Sequence, residues 1–331
     1  MTDATHDLLG IGNAIVDVIA QADDAFLEAN DIIKGSMRLI DTAEAERLYG
    51  QMGPGREISG GSVANTTVGI GSFGGRSVYI GKVRDDQLGE IFRHDITAQG
   101  VSFTNASATE GPLTARSLIL VTPDGERSMN TYLGACVNLT PDDVDPAVVA
   151  GASISFLEGY LMDSSSARDA FNKTAEAAHD AGRRIAMTLS DTFCVDRHRH
   201  AFRRFTRDNA DILLANEDEL KSLYEVDHID AALEMARAEV EVVAVTRSEH
   251  GSVVTAAAET HIVEAAPVDR IVDLTGAGDL YAAGFLYGLA RNMELAKCGH
   301  LGALAAGEVI AHYGARPETS LKGLAEAAGL L

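Results

Sequence analysis

Tryptophan is absent from these 331 residues, cysteine occurs three times, proline seven times, and basic side chains are scarce, with 27 Lys and Arg against 49 Asp and Glu. The net charge of −22 repels nucleic acid and anionic membrane, whose binding rests on clustered Lys and Arg, so neither is an expected partner. Cys136, Cys194 and Cys298 are odd in number and far apart with no C-x-x-C pair, which excludes a disulfide framework or a zinc cage and suits a reducing cytoplasm. No membrane span is expected, because the strongly apolar uncharged stretch 280–290 ends at Asp279 and Arg291, far short of the ~20 residues a bilayer demands. The N-terminal MTDATHD carries acid where a signal peptide carries Lys or Arg, so export is not expected. With few prolines, no repeat and no Pro/Ser linker, residues 1–331 read as one domain.

Apolar residues make up 46% of the chain, enough for a large core. From about residue 150, short apolar runs alternate with segments of helical period, the pattern of βα units that build a parallel sheet. Strands are expected at 153–157, 184–189, 211–215 and 241–246, with helices at 165–181, 197–207 and 229–238. Short strands at 252–255, 260–264 and 268–272 follow, then helices at 277–291, 295–313 and 321–328. The first 140 residues are richer in strands (8–19, 35–39, 77–83, 114–121 and 128–132), with helices at 42–52, 63–73 and 86–99. Asp124-Gly125 sits between two extended runs, and 116–133 reads as a hairpin. We assign it to a small inserted β lid formed roughly by 16–40 and 102–137. The fold class is α/β, a mostly parallel sheet with that lid.

Five segments carry candidate chemistry. In DLTGAGD at 273–279, the amides of Gly276, Ala277 and Gly278 and a helix N-terminus suit phosphate oxygens. Asp279 beside them is placed to accept a proton from an attacking hydroxyl; the plainer reading is a Gly-rich turn whose Asp favours the helix dipole. GGSVAN at 60–65 offers close backbone approach at Gly61 and a polar Asn65, or else a helix entry capped by Ser62. GNAIVD at 12–17 places Asn13 and Asp17 on one strand face, where a carboxylate suits two vicinal sugar hydroxyls; a buried Asp satisfied by backbone donors is the alternative. Asn216 and Glu219 in NEDE either organise hydrated Mg²⁺ or form a capping box. TRSEHG at 246–251 places Thr246 and Gly251 in a turn that either meets a nucleotide or is plain hairpin chemistry. The cluster at 196–200, with Arg203 and Arg204, reads as a solvated basic helix face rather than a metal site. Gly69 to Gly74 matches G-x-G-x-x-G by letter, but it ends a helix and precedes a strand, the wrong order for a dinucleotide site.

Taken in order, GNAIVD, GGSVAN, GKVRDDQLG at 81–89, NEDE and DLTGAGD resemble the ribokinase-like (PfkB) family of carbohydrate kinases along nearly the whole chain. The resemblance implies a doubly wound α/β core with a closing β lid, and ATP-dependent phosphorylation of a primary hydroxyl with Mg²⁺. It implies Asp279 as catalytic base, the amides of Gly276, Ala277 and Gly278 as anion hole, and Asn13, Asp17, Gly61 and Asn65 as acceptor ligands. By the same likeness, Asn216 and Glu219 lie near Mg²⁺ and phosphate, and Thr246 and Gly251 line ATP. Several members bind a monovalent cation through backbone near the segment of Asp273 and Thr275 and again near Gly314, which makes K⁺ a candidate. Two departures stand out: Leu274 where Thr is usual, and Arg84 where Gly is usual. Thr188 to Phe193 (TLSDTF) is similar to an adenosine kinase segment whose Phe stacks on the purine, although the usual Pro is Thr192 here. Adenosine is therefore the first expected acceptor and a simple sugar the second; Phe193 as a core residue and a non-catalytic binding protein are the competing readings. An exposed lid edge offers a route to a homodimer.

Overall fold

The computed structural model describes residues 4–257 and 259–331; the first three residues of the acidic N-terminal segment lie outside them. The strands are β1 (His6–Ile11), β2 (Ile15–Gln21), β3 (Met37–Leu39), β4 (Gly55–Gly60), β5 (Ser77–Ile80), β6 (Ala115–Val121), β7 (Arg127–Tyr132), β8 (Ala152–Glu158), β9 (Arg184–Thr188), β10 (Ile212–Asn216), β11 (Val242–Thr246), β12 (Ser252–Ala256) and β13 (Glu259–Val263). The helices are α1 (Asp24–Ala29), α2 (Thr42–Gln51), α3 (Ser62–Ser72), α4 (Gln87–Ala98), α5 (Pro146–Ala150), α6 (Ser165–Asp180), α7 (Thr192–Asn209), α8 (Glu217–Tyr224), α9 (Ile229–Glu239), α10 (Ala277–Ala290), α11 (Leu295–Val309) and α12 (Leu321–Ala327).

Eight strands form the larger sheet in the order β5-β1-β8-β9-β10-β11-β12-β13, parallel up to β11 and antiparallel over the last two pairs. Successive side chains on a strand point to opposite faces, and here each face has its own core. Leu8, Ile154, Leu214 and Ala244 pack with residues of α3, α10 and α11, whereas Leu9, Leu157, Leu213 and Val243 pack with residues of α6, α8 and α9. Burial on both faces is why these strands read as unbroken apolar runs. The fold is α/β, with a mixed, mostly parallel large sheet and helices on both faces. Among the described residues no helix is long and apolar enough to cross a membrane.

The smaller sheet has the order β3-β7-β6-β2-β4. Its β6–β7 pair is an antiparallel hairpin whose turn places Gly125 at φ 89. Several elements differ from expectation; α1 and α5 lie where no helix is expected. The run 8–19 is two strands, β1 in the large sheet and β2 in the small one, because apolarity continues through residues whose partners change. β4 was not expected: its GREISG stretch is short of apolar residues, and its first two residues are exposed. No strand forms over 268–272, where Val272 N–H bonds the carbonyl of Ile310 rather than a sheet neighbour. α7 starts at Thr192 rather than 197, capped by Asp191, and is kinked at His198; the apolar period is clear only beyond the kink. Segment 102–114 adds no strand to the small sheet.

Candidate active site

β1 lies between β5 and β8, so the order of strands reverses around it, and ligands of open α/β sheets collect at the carboxyl ends beside such a point. Gly12 and Asn13 emerge there. Asn13 is buried and donates through Nδ2 to Glu158 Oε1 at 2.7 Å, at the end of neighbouring β8. The second oxygen of Glu158 accepts from Val63 N–H at 3.1 Å, near the start of α3. Glu158 thus ties β1, β8 and α3 together, and burial pushes its pKa up to about 7. The sequence signal for Glu158, which no motif marks, is an acid at the end of the apolar run SISFLE. Among the described residues the Oδ1 of Asn13 is buried without a hydrogen-bond partner, an acceptor that fits a donor from a ligand.

Gly61, the N-cap of α3, has φ 101 and ψ 140, and a Cβ there would sit 2.2 Å from the Asn13 carbonyl oxygen. Only glycine fits that approach. The helix it opens has no side-chain cap, so Ser62 is not the expected capping residue. Its hydroxyl donates instead to Asp279 Oδ1 at 2.6 Å, and Asn65 Nδ2 donates to Oδ2 at 2.8 Å. Both carboxylate oxygens of Asp279 are thereby oriented from α3. Burial raises the Asp279 pKa, against the opposing pull of Asn65, Ser62 and the Arg316 charge. A carboxylate so placed can take a proton from a hydroxyl.

Asp279 occupies the first turn of α10, whose N-cap Gly276 is left-handed at φ 81 with no side-chain cap. Among the described residues, the N–H groups of Gly276, Gly278 and Asp279 have no acceptor, whereas Ala277 N–H is already bonded to the Leu274 carbonyl at 3.2 Å. The N–H groups at 276, 278 and 279 are therefore the ones left for an anion, while Ala277 N–H is already engaged. These unspent donors, at the positive end of a helix, fit phosphate oxygens.

Asp17, on β2, makes no hydrogen bond or ion pair among the described residues. Burial pushes its pKa up to about 6, opposed by Arg316 and Arg127 and reinforced by Asp279. A Cβ built at Gly60 would fall within 2.7 Å of both Asp17 oxygens, so the carboxylate lies beside the start of α3. Arg316, which no motif signalled, donates to the carbonyls of Ala64 and Ser59 at 3.0 and 2.7 Å and supplies positive charge behind the two acids. Asn13, Asp17, Gly61, Asn65 and Asp279 thus gather around the start of α3.

Asn216 and Thr246 stand side by side at the carboxyl ends of β10 and β11. Asn216 and Glu219 form a closed capping box: Glu219 N–H donates to Asn216 Oδ1 at 2.8 Å, and Asn216 N–H and Nδ2 donate to the Glu219 carboxylate, both at 2.9 Å. Burial pushes the Glu219 pKa up to about 7. This pair fits Mg²⁺ through water rather than by direct ligation. Gly251, at φ 73, packs against the Val263 carbonyl and shapes the turn.

Asp273 is held by four donors. Its Oδ1 accepts from Thr275 N–H and Oγ1, and its Oδ2 from Gly314 N–H at 2.9 Å and Arg127 Nη1 at 2.5 Å. Burial alone would raise its pKa, but these donors and the Arg127 charge hold it below the usual carboxylate value. Arg127 lies on β7, so this nearly buried pair, 11% and 7% exposed, ties the small sheet to the loop before α10. Phe193, 74% exposed in the first turn of α7, is not a core residue. It follows β9, whose Thr188 pairs in register with Glu158.

Residues 31–321 match the pfkB family carbohydrate kinase family. The chain belongs to the PfkB family. It is a phosphotransferase with an alcohol group as acceptor, as the family and the adenosine kinase likeness show. The adenosine kinase of Sinorhizobium meliloti is 54% identical, with a TM-score of 0.90 over 98% of this chain and 100% of that one. A probable sugar kinase from Rhizobium etli CFN 42 is 50% identical, with a TM-score of 0.91 over 99% and 100%. A candidate ribokinase II from E. coli, in complex with ATP and Mg²⁺, shares the fold at 20% identity, with a TM-score of 0.81 over 97% and 98%. PfkB kinases use ATP and Mg²⁺, and the uncapped amides of α10 with the box at 216–219 fit that pair.

Glu158 gives this PfkB kinase a testable pH dependence. Raised from 4.5 to about 7, it holds more protons in the native chain than in the unfolded one, so its contribution to stability falls as pH rises through that window. Glu158→Gln is expected to lift the urea midpoint, relative to the unaltered chain, progressively between about pH 5 and pH 8. A Gln amide can donate to Asn13 Oδ1 if Asn13 turns over. A difference constant with pH would show that Glu158 does not titrate there.

Proposed function

We propose that this kinase phosphorylates the 5′-hydroxyl of adenosine, giving AMP. The observation that carries the reading is Asp279, oriented by Ser62 and Asn65 beside the unspent amides of Gly276 and Gly278, together with an exposed aromatic at Phe193. Asp17, Asn13 and Asn65 hold the ribose hydroxyls, and Phe193 is a platform for the purine face. Asp279 takes the 5′-hydroxyl proton as that oxygen becomes the nucleophile, and the amides of 276, 278 and 279 hold negative charge in place. When bound, ATP supplies the phosphoryl group and Mg²⁺ neutralises its charge. The small sheet serves as a lid that excludes water from the site. The 54% identity to an adenosine kinase over almost the whole chain supports the nucleoside.

A sugar acceptor is the second reading, favoured by the 50% identity to a probable sugar kinase. ATP consumption with adenosine, ribose, fructose and 2-keto-3-deoxygluconate separates the two. Phe193→Ala is expected to raise the KM for adenosine about tenfold to a hundredfold, the worth of one stacked base, while leaving that for ribose nearly unchanged. Equal effects on both acceptors would reject the platform, and turnover with a sugar alone would replace adenosine.

A further inference from the structure

The basic cluster on α7 is not part of the site described above, and it does more than face solvent. Five of the 27 basic residues of this acidic chain fall within 197–207. The helix departs from helical geometry at His198, with φ −125 and ψ 23, and beside this kink opens a concavity of about 510 Å³. Arg168, Arg197, His198, Arg199, His200 and Arg204 line it, with Asp196 and Glu225. Part of the charge is spent. Asp163 accepts from Arg197 at 3.0 Å and from His198 at 2.6 Å, and Arg199 pairs with Asp196 at 2.5 Å and Glu225 at 3.3 Å. Four guanidinium groups thus face three carboxylates, while Arg204 and His200 have no hydrogen bond or ion pair among the described residues.

We propose that this concavity binds a phosphorylated small molecule, a second anion site separate from the α10 amides. Guanidinium groups are always charged and match phosphate oxygens two at a time, and the volume suits a phosphate ester of sugar size. The position gives the site a line to the acceptor cleft. Arg197 is one helical turn from Phe193 in the piece of α7 before the kink. Asp163 closes a short 3₁₀ segment that begins immediately after Glu158. A ligand that draws Arg197 off Asp163 therefore moves both the exposed aromatic and the segment behind Asn13. The binding claim is independent of which acceptor is phosphorylated.

The absence of tryptophan allows a clean reporter. Phe193→Trp in the full chain is titrated with pyrophosphate at constant ionic strength, and in parallel with ribose 5-phosphate, to tell the inorganic anion from an ester. A saturable change in emission is expected, with affinity weakened at least about tenfold when His200→Ala and Arg204→Glu are added, the loss of one or more charge-assisted hydrogen bonds. Calorimetric titration of the chain without the reporter is expected to show one binding event fewer in the His200→Ala/Arg204→Glu variant, the α10 event remaining. Both substitutions are on exposed side chains, and an unchanged melting temperature verifies the fold; Arg204→Gln is the milder variant should it fall. Identical titrations with and without the two substitutions would overturn the proposal, as would an equal response to sodium chloride.

Discussion

Asp279→Asn is expected to lower kcat by about 10²- to 10⁴-fold, the range that a positioned general base supplies, while the KM for ATP changes little. The reason is local. Asn keeps the shape and still accepts from either Ser62 or Asn65, which lie 2.6 and 2.8 Å from the carboxylate, but it cannot take a proton. Stability is not expected to fall, because burial already raises the Asp279 pKa, so removal of the charge relieves a desolvation cost. Steady-state kinetics with the preferred acceptor, beside a thermal melt, separate chemistry from folding. Turnover equal to that of the unaltered chain would remove Asp279 from the mechanism.

The second large effect belongs to Gly61. With φ 101 and ψ 140, any side chain there is strained by roughly 1–3 kcal/mol, and the built Cβ falls 2.2 Å from the Asn13 carbonyl oxygen, so the two segments must part. Gly61→Ala is therefore expected to lower the urea midpoint and to raise the acceptor KM together, since the displaced residue is one of the proposed hydroxyl ligands. Gly278→Ala is the control: a Cβ built there meets nothing within 4 Å, and its stability should match the unaltered chain. A Gly61→Ala protein of native stability would mean that the backbone there relaxes freely, and that the tight passage between β1 and α3 does not set the site.

Residue chemistry local in the chain was legible without coordinates. The α/β alternation after residue 150 follows from apolar runs buried on both faces, and the segments at 12–17, 60–65, 216–219 and 273–279 stand out as glycine, Asn and Asp at element ends, although each also has a plain turn or capping reading. Phe193 could be suspected but not decided: an aromatic beside apolar residues reads equally as core, and only its 74% exposure removes that alternative.

Groups that act through distant partners were not legible. Glu158 meets Asn13 across 145 positions, Ser62 meets Asp279 across 217, and Arg127 meets Asp273 across 146. Each was an ordinary polar residue until the sheet order placed it. The same holds for β4, whose polar stretch becomes a strand because β2 offers an edge. It holds also for Asp273, whose guanidinium partner comes from a distant strand of the small sheet. Spacing along one element is fixed by backbone geometry and can be read from the letters. Which side chain neutralises a buried charge depends on what the packed chain brings within a few ångströms, and so it is decided only on folding.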